Sequence, residues 1–186
     1  MTVTGLGWGS LVWNPGVLRC KGGWREDGPA LPLEFARTSR DGRLTLVLVD
    51  GARPVPTLWT ELDYRSPDEA QAALAGREGC PLMSIGRWPS LSRGHGDETR
   101  AIIAAWGAPR EIDAAVWTAL PPKFEDQVGR APDSAEQVIE YLRSRDPDTL
   151  AKCREYIERA PVQVATTFRA AIEDAMGWGT RDRAPA

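Results

Sequence analysis

Apolar positions come in short strand-like runs over the first part of the chain and at helical spacing over the last third. Residues 2 to 8 are apolar and partly β-branched, which predicts a first strand. Residues 14 to 30 hold Pro15, Gly16, Gly22, Gly23, Gly28 and Pro29, the composition of a long loop. Leu31 to Arg37 and Leu44 to Val49 predict two more strands, with Asp41-Gly42 as the hairpin signal between them. Asp50-Gly51 marks a second turn, and Val55 to Tyr64 predicts a third strand of the same antiparallel set.

Ser66 then offers a helix cap, Pro67 suits the first helical position, and Glu69 stands three residues after the cap, a capping box. The helix it opens runs from about Asp68 through Leu74 and ends near Gly76 or shortly after. That leaves Arg77-Glu78-Gly79 at its C-terminal end. Residues 84 to 96 predict irregular structure. Asp97 to Trp106 predicts a helix closed by Gly107, and Ile112 to Leu120 a strand broken by Pro121-Pro122. The last third is helical. Ser134-x-x-Gln137 resembles a second capping box before a helix ending near Ser144. Asp146-Pro147 opens the next helix, with Leu150, Cys153 and Ile157 on one stripe. Pro161 starts a final helix carrying Val164, Phe168, Ile172 and Met176, stopped by Gly177 and Gly179. Strands followed by helices predict an α+β fold, a small mixed, curved β-sheet or barrel with packed helices. The expected organisation is one domain over 1–179 and a disordered tail over 180–186.

Composition narrows the function classes. The formal net charge of −3 argues against a nucleic-acid binder, which carries a basic surplus, and against an anionic membrane surface as partner. No run of apolar residues is long enough to span a bilayer. Three cysteines at long spacings and a single histidine cannot assemble a structural zinc set. They fit reduced thiols, hence a cytoplasmic setting.

One segment stands out chemically. In Gly7-Trp8-Gly9-Ser10-Leu11, glycines flank a bulky residue after a strand. Such a turn either lets a ligand approach backbone N–H groups or is a plain bulge with Trp8 in the core. Arg37, Arg40 and Arg43 form a set able to grip a carboxylate or a solvated hairpin edge. Cys80 with His95 is a candidate thiol–imidazole pair or a buried thiol. Ser10 lacks the surrounding pattern of a nucleophile elbow.

The segment Gly7-Trp8-Gly9-Ser10-Leu11-Val12-Trp13 resembles the GYGSLIW signature of the ChaC-like γ-glutamylcyclotransferases. Phe35-Ala36-Arg37-x-Ser39-x-Asp41-x-Arg43 is similar to a strand and turn of that family. Trp59 to Tyr64 is similar to a further strand, and Leu74 to Gly79, with Arg77-Glu78, to the stretch after its first helix. The four blocks keep the family's order over about residues 5 to 80. The resemblance implies a γ-glutamylcyclotransferase-like fold and an enzyme that releases 5-oxoproline from a γ-glutamyl amine, amino acid or peptide. It makes Glu78 the general acid/base. It assigns substrate binding to the loop of Gly7, Trp8, Gly9, Ser10 and Leu11 and calls for no metal and no cofactor; Arg37, from the arginine set, is the candidate carboxylate partner. Trp8 replaces the family's tyrosine, and Gly79-Cys80-Pro81 replaces its Gly-Gly-Tyr. Both changes point to a substrate other than glutathione. A non-catalytic protein binding an amino-acid-like ligand on the same fold is the alternative.

Overall fold

Strand β1 (Val3–Gly7) is buried at all five positions, and the rest of its sheet is laid down on either side of it. The computed structural model describes residues 1–89 and 96–178. The chain divides into two compact units, one of residues 1–31 with 56–120, the other of residues 32–55 with 121 onward.

In the first unit the strand order is β2 (Cys20–Arg25), β6 (Leu58–Leu62), β1, β8 (Ala114–Thr118), β7 (Ile85–Trp88). β1 runs antiparallel to β6, with Gly7 opposite Leu58, and parallel to β8, with Val3 opposite Ala114. A parallel neighbour requires a crossover, and this one includes helix α2 (Pro67–Glu78), which packs on β8 and β7. Helix α3 (Asp97–Gly107) packs beside β7. Val3, Leu11, Leu18, Leu62, Leu74, Ile85 and Val116 form the core.

In the second unit the order is β10 (Gln127–Val128), β9 (Lys123–Phe124), β3 (Ala30–Thr38), β4 (Leu44–Leu48), and β5 (Pro54–Pro56) also pairs with β3. β3 and β4 form the hairpin predicted at Asp41-Gly42, closed by Ser39 N–H donating to the Arg43 carbonyl at 2.9 Å. Gly42 takes φ +76° there, a conformation that suits glycine. β9 runs parallel to β3, with Lys123 opposite Arg37. Helices α4 (Ala135–Arg143), α5 (Pro147–Arg159) and α6 (Thr167–Met176) complete the unit, α4 against α6 and α5 against β4. Phe35, Leu44, Phe124, Leu142, Cys153 and Ile157 are buried. Two mixed sheets and a helical C-terminal third make this an α+β protein. Each sheet is open, so neither closes into the barrel that was one form of the expectation.

Five local expectations are corrected. Residues 14 to 30 contain β2, an exposed edge strand held to β6 by backbone bonds, and β7 occupies part of the segment expected to be irregular. The strand expected over 55–64 is divided at Thr57, and β6 joins the β1 sheet, not the β3–β4 hairpin. Thr57 causes the break: its hydroxyl and amide both donate to the Pro29 carbonyl, and its own carbonyl accepts from Gly28. A Cβ on Gly28 would lie 2.5 Å from that carbonyl oxygen, so the close approach needs glycine. The final helix starts at Thr167, capped by Thr166 and not at Pro161. The Ser134 box is also absent, because Gln137 exchanges both of its bonds with Asp133 and Ser134 makes no side-chain cap. The Ser66 cap forms as expected, accepting from Glu69 N–H at 3.2 Å, but Glu69 reaches back to Arg65 N–H. The tail over 180–186 lies outside the described residues.

Candidate functional site

The turn that follows β1 is short because α1 (Ser10–Trp13) begins almost at once. Gly9 precedes it, and its carbonyl accepts from Val12 N–H at 2.9 Å. Leu11 points into the core and Trp8 is 5% exposed. Gly7 is required by packing: a Cβ there would lie 2.7 Å from the Trp24 ring and 3.1 Å from Val12. The first two positions of this segment therefore serve the interior, and Ser10, half-buried, is the one that offers a side-chain polar group at the surface of the turn.

The second wall comes from the end of α2. The helix stops because Gly79 takes the left-handed conformation, φ 61°, and the Gly79 and Cys80 amides return to the carbonyls of the last turn. This is a glycine-dependent helix stop. It leaves Arg77 and Glu78 in the final turn beside α1. Arg77 donates to the Glu78 carboxylate at 2.5 Å, to the Ser10 hydroxyl at 3.3 Å and to the Asn14 carbonyl at 2.5 Å. Both charged side chains are largely covered, 10% exposed for Arg77 and 17% for Glu78.

The electrostatics of this pair are asymmetric. The C-terminal end of a helix favours a cation and disfavours an anion. Arg77 is at home there and Glu78 is not. The guanidinium offsets the unfavourable position of the carboxylate and at the same time fastens α1 to α2. The result is a half-buried carboxylate, one fixed cation and one hydroxyl in a single hydrogen-bonded group. Two sequence motifs 67 residues apart meet in it.

The expected site residues thus divide. Ser10 and Glu78 are brought together through Arg77. Gly7, Trp8 and Leu11 frame the turn from below. Arg37 belongs to the second unit, where its guanidinium donates to the Pro121 carbonyl at 2.7 Å. Arg43 stacks over the Tyr156 ring at 5.5 Å. His95, the candidate partner of Cys80, lies outside the described residues. Sequence reasoning gave Arg77 no role of its own, although the Arg-Glu pair was visible. The Asn14 carbonyl it binds has no side-chain signature.

Among the described residues no group of three His, Cys, Asp or Glu is placed to hold a metal ion. No helix among them is long and apolar enough to cross a membrane. Comparison with family models, curated proteins and solved structures finds no match for the chain.

Proposed function

We propose that the chain is a γ-glutamylcyclotransferase-type enzyme that cyclises a γ-glutamyl amine, amino acid or peptide to 5-oxoproline and a free amine. One observation carries the reading: the Glu78 carboxylate shares a hydrogen-bonded group with Ser10 of the glycine-rich turn, through Arg77.

The chemistry asks little of the protein. The substrate's α-amine attacks its own side-chain carbonyl, a five-membered ring closes, and the C–N bond to the departing amine breaks. Intramolecular attack already removes most of the entropic barrier. The α-ammonium must lose a proton and the leaving amine must gain one, and Glu78 is the group assigned to take the first and return it to the second. The Ser10 and Leu11 amides, with the Ser10 hydroxyl, are the donors assigned to the developing oxyanion. Arg77 is a positioning residue: it fixes the direction of the carboxylate and the distance between the two walls.

The test is a panel of γ-glutamyl compounds assayed for 5-oxoproline, with wild type beside Glu78→Gln. Turnover by wild type and its loss in the variant, at unchanged melting temperature, is the expected result. A Glu78→Gln protein that still releases 5-oxoproline would remove the assignment. A second reading draws on the same pair, since a carboxylate bonded to a cation at 2.5 Å also serves as a plain clasp for α1. In that case the protein binds an amino-acid-like ligand without turning it over, and Glu78→Gln lowers stability while no member of the panel reacts.

A further inference from the structure

The second unit contains a polar cleft of about 290 Å³ that the proposed reaction does not use. It is walled by three turns or ends of elements: the β3–β4 turn with Ser39 and Arg40, the β9–β10 turn with Glu125 and Asp126, and the end of α4 with Tyr141 and Arg145. The volume is at the lower edge of the range of about 300–1,000 Å³ found for drug-sized ligands, which sets the occupant at the size of an amino acid or dipeptide.

The walls are fastened to one another. The Thr38 hydroxyl donates to the Lys123 carbonyl at 3.1 Å, tying the hairpin to β9. The Tyr141 hydroxyl donates to the Gly42 carbonyl at 2.6 Å, tying α4 to the same hairpin. A cleft held in this way does not have to be ordered by its ligand.

Its lining carries both signs of charge. Arg145 lies over the Tyr141 ring, its Cζ 4.3 Å from the centroid, with Nε on the Tyr141 carbonyl and Nη2 on the Ser144 hydroxyl. These contacts fix the guanidinium beside the cleft that Arg145 lines. Arg40 lines the same cleft and has no bonded partner among the described residues. On the β9–β10 turn, which lines the same cleft, Glu125 and Asp126 occupy successive left-handed positions, φ 48° and 64°. A tight hairpin turn normally gives such positions to Asn or Gly. Asp126 is taken by Lys123 at 2.7 Å, while Glu125 has no bonded partner among the described residues.

The geometry points to a binding site for a small zwitterion, an α-amino acid or dipeptide with free ends. Its carboxylate lies on the Arg145 and Arg40 guanidinium groups and its ammonium on the Glu125 carboxylate. Guanidinium recognises carboxylate through paired N–H donors. An anion alone would leave Glu125 facing like charge, and a cation alone would leave two guanidinium groups unmatched.

Titration calorimetry on the full chain tests this with glycine and glycylglycine, their N-acetyl and amide derivatives, and inorganic phosphate. The parent zwitterions are expected to bind, and either capped form to bind at least about tenfold more weakly, the loss of one charged hydrogen bond. Glu125→Gln should erase the preference for a free ammonium, and Arg145→Met the preference for a free carboxylate. Melting curves report whether each variant is folded. If Arg145→Met does not fold, the capped ligands and Glu125→Gln still decide. The site is ruled out if neither zwitterion binds at millimolar concentration, if N-acetylation leaves affinity unchanged, if phosphate alone binds, or if folded variants bind as wild type does.

Discussion

Arg77 and Glu78 are neighbours in sequence and consecutive on a helix, yet their charged ends meet at 2.5 Å. Successive helical side chains do not face one another, so both must turn toward the same side at the end of α2. What lies on that side is α1, and the Arg77 guanidinium continues on to Ser10 and Asn14. The pair is therefore a connection between two elements as well as an ion pair.

Replacing Arg77 with Lys keeps the charge and removes the fork that bonds three groups at once. With turnover established on a γ-glutamyl substrate, kcat/KM is expected to fall about 100-fold through misplacement of the carboxylate, most of it in kcat. The pH–rate profile separates this from simple destabilisation: a shifted limb is expected, and an unchanged profile with only a lower melting temperature would leave Arg77 a purely structural clasp.

Gly86 sits opposite Trp117 in the β7–β8 pair, and a Cβ at Gly86 would overlap the indole. Gly86→Ala is expected to cost about 1–3 kcal/mol by overpacking, seen as a lower urea midpoint. Gly23→Ala on edge strand β2, where a Cβ meets nothing within 4 Å, should change stability by less than about 0.5 kcal/mol.

Arg169 is 3% exposed and bonds five oxygens: the Glu173 carboxylate and the carbonyls of Ile157, Ala160, Pro161 and Val164. It gathers the end of α5 and the turn leading to α6. Arg169→Leu leaves those acceptors and Glu173 unmatched, and the expected cost is about 3–5 kcal/mol. Chemical denaturation measures it, and a loss below about 1 kcal/mol would mean that water replaces the guanidinium.

Glu34 is 5% exposed, and its carboxylate accepts from the Phe35 amide at 2.9 Å and the Phe168 amide at 3.1 Å, at the start of α6. Burial pushes its carboxyl above the usual 4.5, against the lowering effect of the Thr166 bond and the backbone amides. A raised pKa means the folded protein holds the proton more tightly than the unfolded chain does. The stability it contributes is full below 4.5 and is lost as pH rises through the raised value. Urea unfolding across mildly acidic pH should show wild type losing stability relative to Glu34→Gln as pH rises. A constant difference between the two would contradict this. Asp146 runs the other way. The Thr149 amide it caps lowers its pKa, so its contribution is present at neutral pH and lost on acidification.

What could be read from the sequence was what is decided locally. The α2 cap rests on Ser66, Pro67 and Glu69, all within one turn, and the β3–β4 hairpin rests on Asp41-Gly42. β2 was missed because it is an exposed, glycine-bearing edge with no alternation, joined to β6 through its backbone. The two-residue strands β9 and β10 are too short to carry a period. The candidate site was legible at its two motifs and not at the link between them, since nothing near Arg77 in sequence names Asn14. Glu34 and Arg169 gave little signal either, because most of the partners of each are backbone groups brought up by the fold.

Neither unit is a continuous stretch of chain, and this sets an order of assembly during synthesis. Strands β1 and β6 and the end of α2 are all complete by Glu78, so the two walls of the candidate site can meet early. The parallel neighbour of β1 is not made until residues 114–118 leave the ribosome. Until then one edge of a strand buried at all five positions stays open to solvent or to a chaperone, and a nascent chain halted between Gly79 and Asp113 would carry the walls of the site on an unfinished sheet.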